Sequence, residues 1–487
     1  MNVDAQQDGR RDVWENPLAS RYASAEMARL WSDRNRYRTW RQVWLALAEA
    51  EAELGLSITP AQLSQLRANL EPIDFVKAAA YEKQMRHDVF AHLHTYGDAA
   101  PLARPILHLG ATSAFVTDNT DLMLMRDSLD LIAARIAGVI EALSAKAAET
   151  KDIVCLGLTH LQPAQPTTIG KRICLWIHDL LIDLEEIVHR RQLLRARGAK
   201  GTTGTQASFL ELFDGDHARV RALDEVVSRK LGFNASYDVT GQTYTRKIDY
   251  FVMTALSGIA QSAYKLAGDI RLLANLREIE EPFGKKQVGS SAMAYKRNPM
   301  RSERVCSLAR YVISLPANAA NTHAAQWFER TLDDSAIRRL VLPEGFLAVD
   351  VILSLLNDIC SGIQVWPNVI ARRVAAELPF MATENIMMEA VKAGGDRQEL
   401  HEAIRTHSME AARKIKEEGK ENDLLERLKT DPLFASVAAR MDELVNPRAF
   451  VGRAPEQCGE FLQNKVYPIL KQHAGELNKS QSDSVSV

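Results

Sequence analysis

The chain has 487 residues, too many for one ordinary hydrophobic core, which predicts two or three domains. It is 46% hydrophobic and 25% charged with a formal net charge of -2, so it lacks the basic excess of a general nucleic-acid binder, and any anion site must come from a local concentration of charge. Met1 to Arg11 is polar with no apolar leader, no window approaches the length of a membrane span, and Cys155, Cys174, Cys306, Cys360 and Cys458 show no zinc-type pairing; together these predict a cytoplasmic protein with reduced thiols.

In chain order, the first ten or so residues and Lys479 to Val487 are polar and expected to be disordered. Ser24 to Leu54 reads as a helix with Trp40, Trp44 and Leu47 on one stripe, and Pro60, Pro72, Pro101 and Pro105 then punctuate shorter helices, giving a small helical domain over 1–111. Asp118-Asn119-Thr120 is a plausible helix start. After it, Leu122, Met125, Leu129, Ile132, Ile136, Val139 and Leu143 fall at alternating spacings of three and four, a heptad stripe that needs a partner along its full length. Ile153 to Leu158 suits a short extended piece. A second long helix runs from Thr168 to about Arg195; a third carries Val252, Leu256, Ile259, Ala263, Leu266, Ile270 and Leu273; a fourth follows Asp333-Asp334-Ser335 and continues to Ile363. Helices of about 25 to 30 residues are roughly 40 Å long and predict an elongated bundle over 112–365. Phe251, Leu272 and Leu276 lie off the third helix's main stripe, which fits either bundles pooled from several chains or a thicker core within one chain. Beyond Trp366-Pro367, Gly394-Gly395, Asp431-Pro432 and Asn446-Pro447 separate shorter helices, a third helical domain over 366–487. The fold class is all-α.

Several runs carry chemistry. Arg86-His87-Asp88 is followed by His92 and His94, yet no carboxylate completes a familiar metal spacing and a helix would turn His92 and His94 to different faces, so these two read as packing or surface residues. Gly110-Ala111-Thr112-Ser113 offers two hydroxyls and backbone amides at a turn, suited to a carboxylate. Thr159 to Pro166 places His160 on a proline-rigidified loop leading into a helix that can begin near Pro166. Gly198 to Thr205 lacks the Gly-Lys-Ser/Thr order of a phosphate loop and reads as a pocket wall. Gly289 to Pro299, Gly-Ser-Ser-Ala-Met-Ala-Tyr-Lys-Arg-Asn-Pro, combines a bendable backbone and hydroxyls with Lys296. It is either a mobile proton-transfer loop beside an anion or a polar turn before a helix that Asn298-Pro299 begins.

This last run resembles the signature of the fumarase/aspartase superfamily of lyases, Gly-Ser-Ser-x-Met-Pro-x-Lys-x-Asn-Pro, with Ala294 in place of the proline, which should leave the open loop less rigid. Its continuation through Glu303 is similar to the adenylosuccinate lyase branch, and Thr159 to Pro166 matches the superfamily's Thr-His-x-Gln-x-Ala-x-Pro element. The resemblance covers about residues 14 to 470. It implies a homotetramer whose core pools the long helices, and an elimination that breaks a C–N bond beside a carboxylate and releases fumarate from a small nucleotide, with no metal or cofactor and neither nucleic acid nor membrane as partner. It implies Ser290 as base, with Ser291 as second candidate, His160 as general acid, and Lys296 and Asn298 holding and polarising the carboxylate. Arg86, His87 and Asp88 would help bind substrate and bring a second histidine into the site; Thr112 and Ser113 would contact the succinyl part. Arg21, Tyr22, Gln242, Arg304, Arg330, Ser335 and Arg339 match ligand contacts of the family, and as a set suit two carboxylates and a phosphate. In the family the three main elements come from three different chains. The alternatives are another fumarate-releasing lyase, such as one acting on argininosuccinate, or a non-catalytic structural protein on the same scaffold.

Overall fold

The computed structural model describes residues 13–284 and 287–473; the termini expected to be disordered lie outside the described residues. Helices dominate, with two small two-stranded ribbons.

The single helix expected over 24–54 is two, α1 (Ala25–Leu30) and α2 (Asp33–Glu53). Ser24 accepts from the Met27 amide to cap the first, and Ser32 accepts from the Asn35 amide to cap the second, so a second serine cap ends one helix and restarts the next at Trp31-Ser32. Trp40, Trp44 and Leu47 are buried as their spacing requires. α3 (Pro60–Ala68) opens with a Thr59/Gln62 capping box, and α4 (Phe75–Met85) and α5 (Asp88–Ala99) follow.

α6 (Ser113–Glu149) is 37 residues long and begins five residues before the expected start at Asp118. Asp118 and Asn119 are not caps. Both are buried: Asp118 accepts from Arg246 at 2.9 Å and from the Tyr244 amide at 3.0 Å, while the Asn119 carbonyl accepts from the Gly198 amide. Residues that favour helix starts were here recruited by tertiary partners. The seven apolar residues from Leu122 to Leu143 are all fully buried.

Next come β1 (Val154–Thr159) and β2 (Gln162–Thr168), an antiparallel hairpin. The extended piece at 153–158 is thus present, but the proline-rich run expected to be a loop is the second strand. Pro163 and Pro166 are tolerated there because each strand of a two-stranded ribbon has a free edge. α7 (Ile169–Leu193) therefore starts after Pro166, capped by Thr168, which accepts from the Lys171 amide. α8 (Ala207–Leu212), α9 (His217–Lys230), α10 (Lys247–Asn275), α11 (Met300–Ser314), α12 (Pro316–Ala324) and α13 (Asp334–Gly362) complete the middle. α6 packs along α7 and α13, and α10 against α7, α11 and α13, so the bundle holds the four expected long helices and the shorter α11.

α13 corrects the expectation that no segment reaches membrane-span length: it is long and apolar enough by composition. Its apolar residues from Val341 to Leu356 are instead buried against α6, α10 and α11, and it carries buried Arg338 and Asp350. Other apolar side chains on the bundle face outward, among them Leu175, Ile182 and Leu193 on α7, Leu272 on α10 and Leu340 on α13.

β3 (Ile279–Glu280) pairs with β4 (Gln364–Val365), and the chain continues through α14 (Pro367–Met381), α15 (Thr383–Lys392), α16 (Arg397–Glu418), α17 (Leu424–Thr430), α18 (Met441–Leu444), α19 (Ala454–Phe461) and α20 (Tyr467–Gln472). Two cores result. One gathers buried residues from Leu18 to Leu378 and then Cys458, Leu462, Val466 and Leu470; the other gathers Ala382 to Met441. The last helices thus return to the bundle after a small separate core.

Candidate active site

The junction of α4 and α5 sets the first cluster. Arg86 ends α4 in a left-handed conformation, and its amide donates to the Glu82 carbonyl. That turn makes His87 the cap of α5: its Nδ1 accepts from the Phe90 amide at 3.4 Å, and its Nε2 lies 3.3 Å from Ser113 Oγ at the start of α6. Asp88, in the first turn of α5, accepts from the Val89 amide at 2.8 Å and from Arg339 of α13 at 2.6 Å. Burial alone would raise the Asp88 carboxyl, but the Arg339 bond and charge outweigh it and hold the group below its ordinary value.

These residues line a cavity of about 610 Å³ that also takes in Ser335 and Arg330. Its floor is an ionic network that the sequence did not announce. Arg246 donates to Asp118 and Asp334; Arg338 bonds Asp249 at 2.7 Å and pairs with Asp121 at 2.9 Å; the Tyr244 hydroxyl donates to Asp249 at 2.6 Å. Burial alone would push the Asp118 carboxyl up, and Arg246 with Arg338 instead keeps it low. The available signal was two carboxylates, at 118 and 121, on one helix face beside the apolar stripe that begins at Leu122. Acids at core-facing positions need buried cations.

Arg330 extends the cavity sideways by donating to Gln242 Oε1 at 2.8 Å, and Gln242 Nε2 donates to the Thr202 carbonyl at 3.1 Å. Thr202 and Thr203 line this recess, as expected of a pocket wall. Arg197, fully buried, fixes it by donating to the carbonyls of Gln242, Gly198 and Gly201. Gly204 has a positive φ, and a Cβ there would lie 1.9 Å from the Thr240 carbonyl, so only glycine fits.

A second cluster is the 289–299 loop, which folds on itself. A Cβ on Gly289 would sit 2.1 Å from the Lys296 carbonyl, and Asn298 Nδ2 donates to the Gly289 carbonyl at 2.7 Å. Half-buried Ser290 Oγ accepts from the amides of Ala292 and Met293 at 3.3 and 3.1 Å, while Ser291 and Lys296 are exposed. α11 begins right after Pro299, as Asn298-Pro299 suggested; Glu281 accepts there from the amides of Arg301 and Ser302. Along α11, Arg304 lies over the Tyr22 ring with Arg21 on the same ring, and the buried Nη1 of Arg304 has no hydrogen-bond partner among the described residues.

The third element is His160. It and Leu161 form the two-residue turn of the β1–β2 hairpin with φ of 55° and 57°, a mirror-image turn that normally favours asparagine or glycine. Holding two ordinary L-residues in that region costs roughly 1–2 kcal/mol each. Both side chains are exposed at the tip.

One chain therefore gathers Arg86, His87, Asp88, Ser113, Arg330, Ser335 and Arg339 in one cavity, whose lining includes none of Ser290, Lys296, Asn298, Arg304, Arg21, Tyr22, Thr112 or His160. Thr112 caps α6 by position without a side-chain bond. His92 stacks on Tyr37 within the aromatic core, and His94 reaches Arg104 at the surface.

Residues 23–314 match the family described as Lyase, and residues 379–461 match Adenylosuccinate lyase C-terminus. Adenylosuccinate lyase of Saccharomyces cerevisiae is 55% identical over 473 residues, 96% of this chain and 98% of the relative. The chain belongs to the adenylosuccinate lyase family. A relative of that name from Schistosoma mansoni is 48% identical, covering 94% of this chain and 96% of its own, and one from Bacillus subtilis is 30% identical over 81% and 89%. Among solved structures, a fumarate lyase from Mesorhizobium sp. BNC1 superposes with a TM-score of 0.78 at 23% identity, covering 93% of this chain and all of that one. The 3-carboxy-cis,cis-muconate lactonizing enzyme from Pseudomonas putida gives 0.79 at 22%, covering 95% and all. These two likenesses speak for the fold alone, an all-α scaffold shared across nearly the whole chain.

Proposed function

We propose that this protein cleaves adenylosuccinate to AMP and fumarate, and the related succinylaminoimidazole carboxamide ribotide to its carboxamide, by β-elimination in purine nucleotide synthesis. The observation that carries this reading is the 55% identity across nearly the whole of both chains, with Ser290, Lys296, Asn298 and His160 all present.

Elimination beside a carboxylate requires loss of a weakly acidic proton from the succinyl β-carbon. Ser290 takes that proton; its oxygen already accepts from two backbone amides, donors of the kind that stabilise an alkoxide. Negative charge then spreads into the carboxylate, where Lys296 and Asn298 polarise it. The C–N bond breaks, the carbon–carbon double bond of fumarate forms, and His160 protonates the departing nitrogen. The unpartnered Arg304 Nη1, with Arg21 beside it, is suited to an anionic group of the nucleotide. Serine becomes a competent base only in a dry site, and a loop of small residues that closes over substrate supplies one.

The protein acts as a homotetramer whose sites are shared. Supporting this, neither Ser290 nor His160 lines the cavity that holds Arg86, His87 and Asp88, His160 is presented outward on a turn with strained backbone, and α7, α10 and α13 carry exposed apolar side chains along the bundle. A strained, exposed catalytic histidine makes sense if it completes a neighbour's site. Five buried free thiols fit a reducing compartment, the cytoplasm.

The test is spectrophotometric. Purified protein is expected to release fumarate from adenylosuccinate, and a well-folded tetramer that turns over neither this substrate nor the carboxamide ribotide would overturn the reading, leaving a structural role.

A further inference from the structure

Two of the five cysteines, 284 positions apart, meet in the fold. Cys174 Sγ on α7 and Cys458 Sγ on α19 lie 3.5 Å apart, in van der Waals contact and unbonded. α19 packs directly on α7, and Cys458 also donates toward the Ala147 carbonyl near the end of α6 at 3.6 Å, so three helices converge on the pair. Both side chains are buried, but Cys174 lines an apolar cavity of about 1020 Å³ between α7 and the last helices, together with Lys171, Gln457 and Phe461. Within one chain, a small solute entering that cavity reaches a sulfur whose neighbour is already in place, although Leu175 and Ile182 in its wall are also side chains offered to a partner subunit. The bond donated by the Cys174 thiol lowers Cys458 below the ordinary thiol value; burial opposes this, and Lys151 and Lys171 add to the lowering. The same bond raises the Cys174 thiol, so the pair combines contact, a path to Cys174 and a thiolate-biased neighbour in Cys458.

We propose that Cys174 and Cys458 are a redox-active pair whose disulfide, formed by hydroperoxides, pins the C-terminal helices to the bundle. One sulfur attacks a peroxide oxygen: an S–O bond forms, the O–O bond breaks and one water leaves. The second sulfur attacks the resulting sulfenic sulfur: the S–S bond forms, the S–O bond breaks and a second water leaves. Two thiols and one hydrogen peroxide give one disulfide and two waters. Intracellular disulfides of this kind are usually transient and responsive rather than structural, which suits a pair that lies reduced at contact distance. Closing it ties the last helices of the chain to the bundle and so restricts the unfolded chain more than a short loop would.

The experiment treats the purified full-length protein with hydrogen peroxide, then denatures it, counts free thiols and maps peptides without reduction. Titratable thiols are expected to fall from five to three, with one linked peptide joining Cys174 to Cys458, both changes reversed by dithiothreitol. The oxidised protein is expected to melt higher than the reduced one, and Cys174→Ser and Cys458→Ala each to abolish both the link and the shift. Sulfoxide formation at exposed Met409 reports that the dose was sufficient. Five thiols remaining at that dose, a link between other cysteines, or sulfinic acid at Cys174 with no link would each overturn the proposal; none of these readouts depends on catalytic activity.

Discussion

Arg339 on α13 donates to Asp88 at 2.6 Å, and this bond ties the long bundle helix to the first turn of α5, where His87 is the cap. On the same junction, His87 Nε2 lies 3.3 Å from Ser113 Oγ at the start of α6. Replacing Arg339 with alanine frees the Asp88 carboxylate and removes a guanidinium from the lining. KM is expected to rise more than tenfold while melting shifts by only a few degrees, since the pair is partly exposed. Steady-state kinetics with a parallel thermal melt checks this; an unchanged KM would remove Arg339 from the substrate's reach.

The floor of the cavity answers differently. Arg246 is almost wholly buried between Asp118 and Asp334, so Arg246→Met removes the cation that bridges two buried carboxylates. The expected loss is about 3–5 kcal/mol, with the variant unstable or insoluble at neutral pH. Because Arg246 and Arg338 hold Asp118 below its ordinary value, the network's stabilisation is present above the unfolded carboxyl range near pH 4 and is lost as pH falls through the lowered value. Urea unfolding of wild type between pH 3 and pH 6 reads that loss.

Gly289 is a local test of the loop. A methyl there meets the Lys296 carbonyl at 2.1 Å, so Gly289→Ala must open the turn that orients Ser290 and Lys296. kcat is expected to fall at least tenfold with little change in melting temperature, because residues 291 to 297 are exposed and contribute little to the core. Kinetics and calorimetry on the one variant separate the two effects.

Glu51 is buried in α2, and neither carboxyl oxygen has a hydrogen-bond partner among the described residues; burial pushes the group up to about 9. Its folded value lies above its unfolded one, so it remains protonated when folded and lowers stability progressively as pH rises from about 4.5 toward 9, by roughly 1.4 kcal/mol per pH unit. Glu51→Gln is therefore expected to be more stable than wild type at pH 8 and nearly equal to it at pH 5. Melting curves at the two values decide the matter.

Much of the fold was legible because long amphipathic helices write their core in a single stripe: each residue from Leu122 to Leu143 that the spacing picked out is fully buried. What was misread turned on side chains whose partners are distant in sequence. Asp118 looks like a cap until Arg246 is brought beside it, Ser32 restarts a helix that hydrophobic spacing alone would continue, and Pro163 looks like a loop residue until β1 supplies a partner strand. The candidate site divides in the same way. Motifs single out Ser290, Lys296 and His160 as candidates, whereas Arg197 and Arg338, which hold the cavity's walls and floor, stand in no motif and act through carbonyls and carboxylates that only folding assembles.

If Ser290 of one chain and His160 of another serve the same substrate, subunit complementation will restore activity to a mixture of the two variants. Ser290→Ala and His160→Ala variants, each expected to be inactive alone, are unfolded, mixed in equal amounts and refolded. Random assembly is expected to restore up to about a quarter of wild-type fumarate release, because that fraction of sites receives both intact residues from different chains. Mixed tetramers that form yet remain as inactive as either parent would contradict the shared site.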